Sequence, residues 1–131
     1  MRWLRRTAEP LYALVRIVAG LLFSCHGAQK LFGVLGGQKA EGGLMTLAGV
    51  IELIGGLLVA LGLFTGLAAF VSSGQMAVAY FMAHAPQGFW PVVNKGELAV
   101  VYCFLFLYVA AKGAGIWSVD SARRRGGAGP G

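Results

Sequence analysis

The chain has 131 residues, of which 57% are hydrophobic and only 12% charged, too few charges to cover a soluble domain. Its net charge of +6 is gathered toward the two ends and forms no basic face interleaved with aromatics, which excludes nucleic-acid binding. Two cysteines, Cys25 and Cys103, are too few for a disulfide framework.

Long apolar runs predict an all-α fold, an integral membrane four-helix transmembrane bundle. A short N-terminal tail (1–10) leads into one helical domain (11–121), and a basic, glycine-rich tail (122–131) follows. Arg2, Arg5 and Arg6 precede the first run, Leu11–Phe32. This start is similar to a secretory signal, with Leu22-Phe23-Ser24-Cys25 close to a bacterial lipobox. Bulky Phe23 beside the cleavage position and Arg16 within the run favour a retained helix. On it Arg16, Gly20, Phe23, His26, Gly27 and Lys30 fall on one face.

Gly33, Gly36 and Gly37 open the first loop, and Gly42 and Gly43 close it. The second span, Leu44–Thr65, aligns Gly49, Glu52, Gly55 and Gly56 with Gly62-x-x-x-Gly66, a pattern that lets helix backbones approach. A very short turn at Thr65-Gly66 predicts an antiparallel hairpin with the third span, Leu67–His84. One side of that span carries Ala68, Ser72, Gln75, Ala79 and Ala83. Pro86, Gly88 and Pro91 punctuate the loop before the fourth span, Glu97–Ala114. There Glu97, Phe104, Tyr108 and Ala111, with Gly115 beyond them, are expected to face the bundle. The tail from Arg123 onward lacks apolar periodicity and is expected to be irregular on its own.

An even number of spans puts both termini on one side. The tails hold six arginines, whereas the opposite loops and their borders hold Lys30, Lys39 and Lys95. The positive-inside rule therefore predicts cytoplasmic termini, with the arginines against lipid phosphates.

A charge at mid-membrane costs about 2.5–3.5 kcal/mol on insertion scales, so ionisable groups there are expected to face inward and to pair. His26, Lys30, Glu52 and Glu97 gather toward the outer leaflet, and Gln75 and Tyr108 join them as candidate lining residues. Two readings stand. One is a pocket for a quinone or small anion, with Lys30 or His26 donating to a carbonyl and Glu52 relaying a proton. The other is a closed Lys–Glu and His–Glu network that holds the helices together. At the inner end, Arg16 and Asp120 are expected to form a structural ion pair. Cys25 and Cys103 point away from the polar faces, toward lipid or a partner subunit. His26 and His84 differ by about 9 Å in depth, so no haem is expected, and no cluster suits a metal.

Arg16 with Gly20, and then His26-Gly27-x-x-Lys30, resemble the first-helix signature of the DoxX family of small bacterial and archaeal membrane proteins. Glu52-x-x-Gly55-Gly56 with Leu61-Gly62-Leu63-Phe64-Thr65-Gly66 is similar to that family's second helix. Asn94-x-Gly96-Glu97 and Gly113-Ala114-Gly115-x-x-Ser118-x-Asp120 resemble its fourth helix and closing motif. The likeness covers about residues 10–121. It implies a four-helix protein of the prokaryotic cytoplasmic membrane, tied to redox or sulfur metabolism. The arginine-rich, glycine-rich tail departs from the shared pattern. The expected role is a membrane subunit of a quinone-linked redox complex. The alternative is a non-catalytic accessory subunit packed around a larger respiratory or photosynthetic complex. Either role implies lipids and other membrane subunits as partners. A solute carrier is disfavoured, because no inverted repeat is visible.

Overall fold

Residues 1–127 are described in the computed structural model, and every regular element among them is helical. After α1 (Arg2–Arg6), Thr7 interrupts the helix and α2 (Ala8–Phe32) runs for 25 residues. The N-terminal tail expected over 1–10 is therefore helical for most of its length. α2 stops at Gly33, whose left-handed φ of 66° suits a residue without a Cβ.

α3 (Gly43–Leu61) ends the same way at Gly62, φ 68°. The Gly62-x-x-x-Gly66 pair thus straddles a turn instead of lining one helix, with Gly66 inside α4 (Thr65–Ala79). α4 continues through a π-helical turn, Tyr80–His84, and a 3-10 stretch, Ala85–Gln87. α5 (Pro91–Asn94) leads to α6 (Glu97–Lys112) and then α7 (Val119–Gly127). The C-terminal segment expected to be irregular is therefore helical as far as Gly127, and 128–131 lie outside the described residues.

Ala8–Phe32, Gly43–Leu61 and Thr65–Gln87 are each long and apolar enough to cross a membrane. α6 has 16 residues, about 24 Å at 1.5 Å per residue, and stops short of the expected Ala114.

α2 packs on α3, α3 on α4, and α4 on α6. The first contact is backbone to backbone. A Cβ built on Gly20 would lie 2.6 Å from both Ala60 N and Gly56 O, and one on Gly56 would lie 2.5 Å from Gly20 O. Small residues at helix crossings permit this approach where lipid offers no hydrophobic drive. Further along, Phe23 meets Phe106 with ring centroids 4.7 Å apart, and Tyr102 stacks on Phe106 at 5.4 Å. These contacts turn Ala99, Tyr102, Phe106 and Val109 of α6 inward. The stripe expected there, Glu97, Phe104, Tyr108 and Ala111, faces outward instead. α6 is apolar on all sides, so its sequence pattern favours no face, and aromatic packing against Phe23 decides.

Candidate functional site

Glu52 is the most deeply placed acid, 1% exposed. Gly49, Gly55 and Gly56 share its face of α3 and are buried with it. Having no side chains there, they let α2 and α4 close around the carboxylate. α2 supplies Lys30, whose Nζ donates to Glu52 Oε1 at 2.5 Å. α4 supplies Gln75, whose Nε2 donates to the same oxygen at 3.1 Å. Glu52 Oε2 and Gln75 Oε1 have no hydrogen-bond partner among the described residues.

These three side chains sit on a cavity of about 830 Å³ whose wall is mainly apolar, with Ile51, Met76 and Leu98 among the lining groups. His26, His84 and Lys95 also line it. His26 lies edge-on to Tyr102, ring centroids 6.3 Å apart. The structure thus brings His26, Lys30, Glu52 and Gln75 together and adds two residues that sequence reasoning set aside. His84 had been placed at a different depth from His26, and Lys95 had been counted only as a loop charge. His84 reaches the lining from the end of the π turn and Lys95 from the residue after α5.

Two expected lining residues are elsewhere. Glu97 is exposed at the start of α6. Tyr108 is 56% exposed and packs edge-on against Tyr12, toward the end of α6 that carries Lys112. Both follow from the rotation of α6. The free thiols are apart as well: Cys25 is exposed, and Cys103 Sγ is 3.6 Å from Ser73 Oγ. Among the described residues no three His, Cys, Asp or Glu side chains converge as metal ligands would.

Asn94 precedes the cavity-lining Lys95 in the chain. It is 2% exposed, donates to Tyr80 Oη at 3.1 Å and Gly88 O at 2.6 Å, and accepts from Gly96 N at 2.8 Å. Its own carbonyl lies 3.1 Å from His84 Nδ1. One amide therefore ties the π turn to the start of α6. Its place beside Gly96 was the sequence signal for it.

The end of the bundle that carries the chain termini is built differently. Arg16 is completely buried, yet it forms no ion pair with Asp120. Its guanidinium donates to Val59 O at 3.1 Å, Ile116 O at 3.0 Å and Trp117 O at 2.7 Å, and also to Ala114 O. The last carbonyls of α3 carry partial negative charge, and Val59 O, which also accepts from Gly62 N at 3.1 Å, joins the loop after α6 in satisfying the arginine. Asp120 accepts instead from the backbone N–H groups of Phe64 and Thr65, both at 3.0 Å, and from Thr65 Oγ1 at 2.8 Å. It caps α4 across the fold. Partial burial pushes its carboxyl pKa up, but the bonds from Thr65 and Phe64 and the charge of Arg123 outweigh this and hold it below 3.8.

The DoxX family model matches residues 11–85. A protein of Haemophilus influenzae, described as uncharacterized, is 46% identical over 117 residues, covering 83% of this chain and 87% of its own length. No solved structure matches the chain.

Proposed function

The chain belongs to the DoxX family of membrane proteins, and from that premise we propose that it is the membrane subunit of a quinone-linked redox complex. In this reading α6 is the fourth crossing of a four-helix transmembrane bundle, with both termini in the cytoplasm. The arginines of α1 and α7 at one end of the bundle support that orientation. The cavity then opens toward the outer leaflet of the cytoplasmic membrane.

One observation carries the proposal. A buried carboxylate, Glu52, keeps one oxygen free beside an ammonium and an amide, at a cavity whose walls are mainly apolar. Such a site holds a flat, lipid-soluble ring and addresses its oxygens with a few fixed polar groups. Lys30 Nζ donates to a ring oxygen and fixes its position. Glu52 Oε2 receives the proton that accompanies the redox step, and the apolar wall excludes water around it. A small anion is the other ligand the polar groups suit, because Lys30 and Lys95 outnumber the single carboxylate.

The second reading is the accessory subunit, and a specific feature favours it. Glu52 Oε1 is already paired with Lys30 and Gln75, so the cluster also serves to join α2, α3 and α4. A plug separates the two. Gly74 lines the cavity, and a Cβ built on it meets nothing within 4 Å, so Gly74→Phe fills space without disturbing the ion pair. The quinone reading expects the purified variant to fold normally, lose co-extracted quinone and lose decylubiquinone binding. Unchanged quinone content and binding in that variant would favour the accessory role.

A further inference from the structure

We infer that the buried end of the cavity selects a hydrogen-bond donor, so that of the two redox forms of a quinone it takes the reduced quinol. This rests on the reading of the cavity as a quinone site. Two oxygens carry it, Glu52 Oε2 and Gln75 Oε1, both buried and both without a donor among the described residues. Both residues line the cavity. Ser72 Oγ shares their lack of a partner but lies against α3, where a Cβ on Gly55 would be 2.6 Å away, and it does not line the cavity.

The acceptor character of the pair follows from their neighbours. Gln75 Nε2 faces Glu52 Oε1 at 3.1 Å. Turning the amide over would set its oxygen against a carboxylate oxygen, so the free atom of Gln75 is the carbonyl. Glu52 is paired with the Lys30 ammonium at 2.5 Å, and a carboxylate offers lone pairs alone.

A quinone ring presents carbonyl oxygens, which only accept. One of them suits the remaining N–H groups of Lys30, whose side chain is 27% exposed. The same placement sets acceptor beside acceptor at Glu52 Oε2, while Gln75 Oε1 stays unpaired with either form, since a quinol hydroxyl has one proton to give. A quinol hydroxyl accepts from Lys30 and donates to Glu52 Oε2 at once. Each buried acceptor left without a donor weakens binding by roughly tenfold or more. The other polar lining groups do not discriminate in the opposite sense. The ring nitrogens of His26 and His84 serve as donor or acceptor according to tautomer. Lys95 is exposed and serves an oxygen of either form.

The experiment titrates the full chain in lipid nanodiscs, under anaerobic conditions, with decylubiquinol and separately with decylubiquinone. Free ligand is separated by ultrafiltration and measured by chromatography. Decylubiquinol is expected to bind at least about tenfold more tightly, one unsatisfied acceptor being worth roughly that factor. Glu52→Gln keeps its amide oxygen toward Lys30 and Gln75 and sets a nitrogen donor where Oε2 stood, and is expected to narrow the ratio to about threefold or less. Equal affinities, tighter decylubiquinone, or a ratio unmoved by Glu52→Gln overturns the donor assignment while leaving the cavity a quinone site. Binding of neither form overturns the quinone reading and this inference with it.

Discussion

Gly20 of α2 and Ala60 of α3 meet backbone to backbone, with 2.6 Å from a Cβ built on Gly20 to the Ala60 nitrogen. Backbone cannot step aside as a side chain can. Gly20→Ala is therefore expected to separate α2 from α3 and to destabilise the protein by about 1–3 kcal/mol, the range for overpacked sites. Unfolding in detergent titrated with SDS measures this. A variant as stable as the parent would mean that the crossing is looser than drawn.

Arg16 acts through carbonyl oxygens contributed by two separate segments, Val59 near the end of α3 and Ala114 to Trp117 after α6. Arg16→Ala leaves buried acceptors without donors and is expected to cost at least about 3 kcal/mol. Arg16→Lys is expected to recover less than half of that, because an ammonium lacks the planar fork that reaches several acceptors together. Thermal denaturation of both variants in the same detergent gives the comparison.

Asp120 sets an acid limit. Its folded pKa lies below the 3.8 of the free group, so the folded state binds its proton less readily than the unfolded one. The stabilisation is complete above about pH 4.5 and fades as the pH falls through the lower, folded value. Asp120→Ala is expected to be weaker than the parent at pH 7 by about 1 kcal/mol, as for a lost helix cap. It should also lack the parent's acid-induced decline below about pH 4. Parallel declines in parent and variant would assign the acid loss to another group.

Lys30 and Glu52 should show strong coupling. Lys30→Met leaves the Glu52 carboxylate buried beside Gln75 alone, at an expected loss of about 2–3 kcal/mol, below the value for a fully buried pair because Lys30 is partly exposed. Lys30→Met combined with Glu52→Gln removes both charges and should restore most of that stability. A double-mutant cycle reads the difference directly, and additive losses would deny that the two charges interact.

The apolar segments were legible because length and hydropathy demand them, and the face of α2 was legible because Arg16, Gly20, His26, Gly27 and Lys30 contrast with lipid-facing Leu and Val. Lys30, Glu52 and Gln75 could be drawn together from helix faces and depth alone. Three things were not legible. α6 has no polar contrast around its circumference, so its rotation waited on contacts between Phe23, Tyr102 and Phe106. Arg16 and Asp120 invited pairing by sign, whereas helix ends compete for charged groups of both signs and here attract each separately. The glycine at position 62 was read as a packing residue, but its positive φ ends a helix, a conformation that spacing cannot reveal.

The π turn at Tyr80–His84 is equivalent to one surplus residue wedged into an otherwise regular spiral. Excising a single residue there would restore the ordinary winding and keep the chain beyond it in phase, changing only which side chains the turn itself presents, His84 among them. Glu52, Lys30 and the Arg16 anchorage would stay in place. Related chains that gain or lose one position at this point can thus exchange the side chains this turn offers while inheriting the rest of the chamber unaltered.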